Sequence, residues 1–170
     1  MYDYKTAGNG STFPSKNLDL LHPYVKSLVL KFLEEVKKSA ILNGCEIKVT
    51  QTLRSIAYQN ELYAQGRTKP GNKVTNAIGG SSMHNYGLAV DFGVFKDGKY
   101  LGGVNTQEET YYTECGRIAK QVGFFWGGDF TSIHDSGHIQ YTGKFDNNTA
   151  LSLLKTGKSA DDITGVKSWN

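Results

Sequence analysis

Residues 82–91 read Ser-Met-His-Asn-Tyr-Gly-Leu-Ala-Val-Asp, and residues 135–138 read Asp-Ser-Gly-His. Together these two segments predict a zinc site that is divided between distant parts of the chain, because imidazole and carboxylate are natural ligands of a borderline-soft cation. Three protein ligands leave the fourth position open, which distinguishes a catalytic zinc from a structural one. The candidate ligands are His84, Asp91 and His138.

Hydrophobic alternation predicts that both segments continue as strands. Residues 88–93 alternate large apolar side chains with Ala89, Asp91 and Gly93, so Asp91 should project into a cavity rather than into the core. In the second segment, His138 and Gln140 fall on one face of a strand. Two such strands side by side would present both ligands to one ion, and Gly87 supplies the backbone freedom for His84 to join them.

Composition limits the class of protein. The chain has 170 residues, 38% of them hydrophobic, which suits one well-buried domain. A net charge of +3 without a concentrated basic patch argues against nucleic-acid binding. No apolar run is long enough for a membrane span, and residues 1–10 lack a basic segment followed by an apolar run, so we expect no membrane insertion and no secretory signal. Two isolated cysteines, Cys45 and Cys115, indicate free thiols.

Periodicity and capping signals predict the main elements. Apolar residues at three- and four-residue steps predict a long helix over 23–42, ended by Asn43-Gly44. The pattern Thr106-x-x-Glu109 predicts a capping box for a third helix. Besides the two strands that carry Asp91 and His138, the sequence predicts helices over 23–42, 55–65, 106–122 and 147–154, a strand over 46–53 that delivers Arg54, and a hairpin that turns at Asp97-Gly98.

The metal-ligand segments resemble the signature of the M15, or VanY-like, zinc peptidases, which reads Ser-x-His-x6-Asp followed by Asp/Glu-x-x-His. The family contains D-Ala-D-Ala carboxypeptidases and L-alanyl-D-glutamate endopeptidases. Residues 50–55, 62–71, 74–77 and 126–129 are similar to the L-alanyl-D-glutamate endopeptidase branch, which includes CwlK-like enzymes and phage endolysins. The resemblance covers roughly residues 19–141.

This resemblance implies an α+β domain with the Hedgehog/DD-peptidase-like fold. A mainly antiparallel sheet should carry the zinc cleft, with helices packed on its other side. The implied organisation is an N-terminal arm over residues 1–16, a catalytic domain over 17–154, and a polar tail or the start of a linker over 155–170.

The resemblance also implies roles for individual residues. Zn2+ held by His84, Asp91 and His138 would activate water, with Asp135 as general base. Arg54 would steady the developing oxyanion or bind a substrate carboxylate. Gln59 and Ser82 would form hydrogen bonds either to substrate or behind the groups that contact it.

Two residues next to the segment 135–138 are alternatives for the roles of general base and metal ligand. Asp129 and His134 both lie close to Asp135 in sequence and could replace it as base or act as ligand. The Asp-x-x-His spacing to His138 favours Asp135.

The leading functional hypothesis is cleavage of the L-alanyl-D-glutamate bond in the stem peptide of bacterial peptidoglycan. The alternatives are a D,D-carboxypeptidase or D-Ala-D-Ala dipeptidase with the same zinc machinery, and a non-catalytic zinc-bearing recognition module. We expect a monomer that is made in the cytoplasm and acts on the cell wall after release, as a phage endolysin does through a holin, or as a bacterial autolysin.

Overall fold

The structure is a computed structural model, and it describes residues 15–131 and 133–167. The arm expected over residues 1–16 therefore lies almost wholly outside the described residues. The helices are α1 (Pro23–Val36), α2 (Ile56–Ala64), α3 (Thr106–Val122), α4 (Asn147–Lys155) and α5 (Ala160–Thr164), and the strands are β1 (Cys45–Gln51), β2 (Ala89–Lys96), β3 (Lys99–Leu101), β4 (Phe125–Trp126) and β5 (His138–Gln140). Short 3-10 turns occupy Leu18–Leu20, Met83–Tyr86 and Gly127–Asp129.

The sheet is antiparallel at every pairing, in the order β1-β2-β5-β4. The short strand β3 pairs with the far end of β2 through the hairpin expected at Asp97-Gly98. Strand β2 is therefore the centre of the sheet. Its residue Asp91 lies opposite Gln51 on one side and opposite His138 on the other.

Helices cover one face of this sheet. Phe92 points away from the side that carries Asp91, and its ring lies 5.5 Å from the ring of Phe32 in α1 and 5.8 Å from that of Tyr112 in α3, measured between centroids. The apolar residues at alternate positions of β2 are buried, as the alternation predicts. The α+β class, the antiparallel sheet and the helices behind it are thus confirmed, and the face with Asp91 is left for a site.

A close approach fixes α3 against the edge of the sheet. Gly116 lies in the middle of α3, and a Cβ atom there would stand 2.2 Å from the ring of Trp126. Only glycine allows the helix and the indole to pack at this distance. The indole N–H in turn donates to the Ser136 carbonyl at 2.9 Å, so this packing supports the segment that carries Asp135.

The first helix is shorter than predicted. It ends at Val36, and residues 37–44 form turns before Gly44 adopts a φ of +77° and β1 begins. Helix continued over residues 37–42 would carry the chain about 9 Å further along its axis, at about 1.5 Å per residue, whereas the chain has to turn back for β1 at Cys45. Leu42 is nevertheless buried, because the turn brings it back to the core.

The cap of α3 also differs from the prediction, although its bounds match. Asn105, not Thr106, is the N-cap, and its side chain accepts a hydrogen bond from the Glu108 N–H at 3.0 Å. The Glu108 carboxylate reaches back to the N–H of Gly103 at 3.0 Å. Asparagine is among the strongest N-cap residues, so the pair one position earlier prevails.

The C-terminal residues are not a loose tail over the part that is described. After α4 the chain forms α5, whose Ala160 and Ile163 are buried, and Asp161 bonds the ring of the fully buried His22 at 2.9 Å. The described residues after 155 therefore pack against the rest of the chain. Among the described residues, we find no helix with the length and apolarity needed to cross a membrane.

Candidate metal centre

Three separate elements deliver the predicted ligands to one point. Asp91 and His138 are directly paired across β2 and β5, so their side chains share a face of the sheet. His84 comes from the 3-10 turn at Met83–Tyr86, which Ser82 caps by accepting the His84 N–H. Gly87 ends this turn with a φ of +68°, as expected from the need to reverse the chain before β2.

The three ligand atoms form a nearly equilateral triangle. His84 Nε2 lies 3.0 Å from Asp91 Oδ1 and 3.2 Å from His138 Nδ1, and the last two atoms are 2.9 Å apart. A tetrahedral zinc ion with ligands at about 2.0–2.1 Å separates neighbouring ligand atoms by about 3.3 Å. The triangle therefore matches one face of a zinc coordination sphere and leaves the fourth direction open.

The outer hydrogen bonds of both rings turn their lone pairs toward the triangle. His84 Nδ1 lies 2.6 Å from the Thr52 carbonyl, and His138 Nε2 lies 2.8 Å from Gln140 Oε1. A carbonyl oxygen can only accept, so each of these ring nitrogens carries the proton and the inward nitrogen does not. Three buried acceptors then face one another, and a cation satisfies all of them. The residues present fit zinc.

Electrostatics at the triangle also favour a positive charge. Burial lowers the pKa of His84 to about 4, so this ring stays neutral and keeps its lone pair. Burial alone would lower the pKa of His138, but Asp91 beside its inward nitrogen raises that pKa above the ordinary value, so a positive charge is favoured at this nitrogen. Burial would raise the pKa of Asp91, yet the two imidazoles hold it well below its usual range.

Arg54 holds the second oxygen of the carboxylate ligand. Its Nη2 donates to Asp91 Oδ2, its Nε to Gln51 Oε1 at 2.7 Å, and its Nη1 to Gln59 Oε1 at 3.3 Å. Because one carboxylate oxygen faces the imidazoles and the other faces Arg54, Asp91 is oriented to bind a metal through one oxygen. The guanidinium also lines the cleft.

Gln59 and Ser82 occupy different positions relative to the cleft. Gln59 is fully buried, and its amide donates to the Ala77 carbonyl at 2.8 Å while its oxygen accepts from Arg54. Of the two roles expected for it, this arrangement corresponds to supporting Arg54 rather than contacting substrate. Ser82 lines the cleft while it caps the turn that carries His84.

Asp135 lies on the cleft wall next to the ligands. Asp135 is exposed at the surface of the cleft, but the cleft walls around it exclude part of the water that would hydrate its carboxylate. This desolvation raises the pKa of Asp135 above the ordinary value. The charge of Asp91 raises it further, whereas His138 and Arg54 act in the opposite direction. A carboxylate with a raised pKa next to a metal position suits proton transfer.

The cleft itself has a volume of about 740 Å3 and opens on the face of the sheet opposite α1 and α3. One wall consists of the segment between α2 and the His84 turn, and the other of the loop after β4 and one side of α4. The residues that line it include Arg54, Tyr63, Val74, Ile78, Ser82, His84, Phe130, Asp135, His138, Gln140, Asn147, Leu151 and Lys155.

The two alternative residues lie outside this arrangement. Asp129 forms a solvent-exposed ion pair with Lys120 at 2.9 Å. His134 is exposed, with its ring 6.2 Å from that of Trp126. Neither lines the cleft, whereas Asp135 does.

Sequence reasoning missed three supporting groups. Gln51 holds Arg54, Asn147 accepts from the Gln140 amide, and the Thr52 carbonyl fixes the His84 ring. The alternation that places Gln140 on the face of His138 indicates the contact between those two. Every residue has a backbone carbonyl, so the sequence cannot indicate the role of that of Thr52. Gln51 is identified only by the register of β1 with β2, and Asn147 only by the position at which α4 begins.

Comparisons with known proteins identify peptidases as relatives of this chain. A family model described as D-alanyl-D-alanine carboxypeptidase matches residues 75–141. The peptidoglycan L-alanyl-D-glutamate endopeptidase CwlK of Bacillus subtilis (strain 168) is 42% identical over 127 residues, which cover 71% of this chain and 72% of the relative.

Solved structures share the fold at lower identity. The L-Ala D-Glu endopeptidase ChiX of Serratia marcescens has a TM-score of 0.52 at 21% identity and covers 75% of this chain and 87% of its own. The E175A mutant of the vancomycin resistance D,D-pentapeptidase VanY, in complex with Zn(II), has a TM-score of 0.50 at 16% identity, with 84% of this chain and 83% of that chain covered.

An open two-histidine, one-carboxylate site on this α+β fold, together with the 42% identity to CwlK, defines a metallopeptidase that uses zinc. The chain belongs to the M15 family of zinc peptidases.

Proposed function

We propose that this protein is a zinc-dependent peptidoglycan endopeptidase that cleaves the L-alanyl-D-glutamate bond of the stem peptide. The observation that carries the proposal is the ligand triangle of His84, Asp91 and His138, open to a cleft in which Asp135 stands beside it. The bond specificity is supported by the 42% identity to the CwlK endopeptidase.

Each charged residue has a distinct role in this reaction. A bound zinc ion supplies Lewis acidity and lowers the pKa of the attacking water. Asp135 takes the proton from that water and returns it to the departing amino group of D-glutamate. Arg54, fixed by Gln51 and Gln59, holds Asp91 in place and presents its positive charge to the cleft, where oxyanion charge develops.

We infer that one copy of the chain is sufficient, because the ligands, the base and the arginine all come from the same chain. The stem peptide of the bacterial wall is the partner that this cleft would hold. The cleft has a volume of about 740 Å3 between two walls, which suits an extended peptide better than a single amino acid.

A cleavage map of defined muropeptides tests the bond assignment. Incubation of the zinc-loaded protein with disaccharide-pentapeptide, followed by mass spectrometry, should give disaccharide-lactyl-L-alanine and a peptide that begins with D-glutamate. Chelation of zinc should abolish both products, and added zinc should restore them. Release of terminal D-alanine alone would instead identify a D,D-carboxypeptidase, the activity named by the matching family model.

A further inference from the structure

Two phenylalanine rings form an exposed stacked pair beside the metal ligands. The ring centroids of Phe125 and Phe130 are 5.6 Å apart and their planes differ by 22°. The ring of Phe130 also lies 5.6 Å from that of the ligand His138. Phe125 is 37% exposed, and Phe130 is partly exposed and lines the cleft. We call these two residues the aromatic platform.

Strand register puts the aromatic platform on the same side of the sheet as the metal site. Phe125 in β4 is directly opposite Gln140 in β5, so their side chains share a face. Gln140 in turn shares that face with His138, which it bonds. The next residue, Trp126, points the other way and is buried against α3.

Core packing does not account for Phe125. Strand β4 is at the edge of the sheet order, and an exposed ring there gains little from burial. Apolar surface that continues a cleft generally marks a binding site. The ligand of Phe125 should therefore be a part of the substrate that binds in the adjoining cleft.

The chemistry of the proposed substrate identifies that occupant. In peptidoglycan the L-alanine of the stem peptide is attached through a lactyl group to an amino sugar, so a sugar ring follows within a few bonds of the scissile carbonyl. An enzyme that cuts this bond has to place that ring next to its metal ligands. One face of a pyranose ring is made of C–H groups, which pack on aromatic rings, and its rim carries hydroxyl groups.

The surroundings of the aromatic platform match both features. The stacked rings offer an apolar surface, and Gln140, which is opposite Phe125, and Asn147 line the cleft and offer polar groups. We propose that the aromatic platform of Phe125 and Phe130 is a carbohydrate subsite that stacks on the amino sugar carrying the stem peptide. This inference rests on the proposed function and adds the glycan to the substrate.

A pair of matched substrates tests the subsite. The first is a disaccharide-tetrapeptide, and the second is the same tetrapeptide with an N-acetyl group in place of the sugar. We expect the wild type to cleave the first with a kcat/KM about tenfold higher, a size typical of one well-packed aromatic contact. Phe125→Ala should remove this preference, mainly through KM, and leave cleavage of the sugar-free peptide unchanged.

Two further variants separate ring stacking from other effects. Phe125→Leu keeps an apolar side chain without a ring, and should lose most of the preference. Tyr100→Ala removes another exposed aromatic residue, 60% exposed on β3 and outside the cleft lining, and should keep the preference in full. Chemical-shift titration with the free disaccharide should perturb the wild type and not the Phe125→Ala protein.

The outcomes separate the subsite from the function on which it rests. Equal cleavage of both substrates by the wild type, or a preference that survives Phe125→Ala, would overturn the carbohydrate subsite while the endopeptidase stands. An unchanged preference together with a loss of self-association in Phe125→Ala would assign the aromatic platform to contacts between copies instead. Cleavage of neither substrate at this bond would remove the proposed function and the subsite with it.

Discussion

At the scale of single residues, the candidate site depends on which atom of each side chain points inward. The Thr52 carbonyl and the Gln140 amide oxygen occupy the outer nitrogens of His84 and His138, so both inner nitrogens are free to bind a metal. Arg54 occupies one oxygen of Asp91 and leaves the other for the same purpose. Asp135 is not one of the three converging groups, and for this reason its loss should affect proton transfer and not metal binding.

Replacement of Asp135 by asparagine tests this division of roles. Asp135→Asn keeps the size of the side chain but cannot accept a proton, so we expect kcat to fall by about 100-fold or more. Zinc content, measured by atomic emission, should stay at the wild-type level. Asp129→Asn is the matched control, because that carboxylate pairs with Lys120 on the surface, and it should retain full activity. An Asp135→Asn protein with full activity and bound zinc would refute the assignment of the base.

At the scale of elements, a buried carboxylate joins α3 to the turn that follows α1. Glu114 accepts from the Ser39 hydroxyl at 2.7 Å and from Arg117 at 2.7 and 2.8 Å. The hydrogen bonds from Arg117 are the main reason that its pKa lies below the ordinary value of 4.5, and that from Ser39 lowers it further. The turn at residues 37–44, where the sequence predicts more helix, is thus joined to α3 by the hydrogen bond from the Ser39 hydroxyl to this carboxylate.

This contact should make stability depend on pH. Because the pKa of Glu114 is lower in the folded than in the unfolded state, its contribution is present above about pH 4.5 and is lost as the pH falls through the folded pKa. We expect Glu114→Gln to reduce the free energy of unfolding by about 1–2 kcal/mol at neutral pH, with the deficit shrinking as the pH falls below the ordinary pKa of 4.5. Urea denaturation of the wild type and of Glu114→Gln at several pH values measures this difference in the free energy of unfolding.

The control for this prediction is Glu109→Gln, an exposed acidic position on the same helix. It should change the free energy of unfolding by less than about 0.5 kcal/mol at any of these pH values. A Glu114→Gln deficit that is the same at both ends of the pH range would show that the carboxylate charge is not what joins the two elements.

At the scale of the whole molecule, the C-terminal residues complete the domain. Helix α4 lines the cleft, and α5 folds back so that Asp161 bonds the buried ring of His22 at the start of α1. The backbone of Ile163 also packs closely on Gly143, where a Cβ atom would stand 2.1 Å from the Ile163 oxygen. Both ends of the described chain therefore contribute to one core.

Truncation of a single apolar side chain tests whether α5 belongs to this core. Ile163 is buried, so Ile163→Ala should reduce the free energy of unfolding by about 2–4 kcal/mol through lost burial and a cavity. Val166 is 40% exposed three residues later, and Val166→Ala should cost less than about 0.5 kcal/mol. Chemical denaturation of the two proteins gives both values. Equal, small losses would mean that residues after 155 behave as the tail that their polarity suggested.

The sequence by itself determined the class of the fold and indicated the three residues that converge in the structure. Alternation along residues 88–93 placed Asp91 opposite the core face, and the Asp-x-x-His spacing to His138 predicted Asp135, rather than Asp129 or His134, as the base. Such features are local, because strand and helix periods are written in consecutive residues. The bounds of α3 and the hairpin at Asp97-Gly98 could be predicted for the same reason.

Only the tertiary structure decided how those groups are held. The carbonyl of Thr52, the amide of Gln59 beneath Arg54 and the stacking of Phe125 on Phe130 join residues through strand register and helix packing, which consecutive residues do not record. The end of α1 and the docking of α5 likewise depend on where the chain has to return and on which surface remains uncovered. Propensity and pattern specify an element, but the free energy of burying it against a partner decides where it ends and what it contacts.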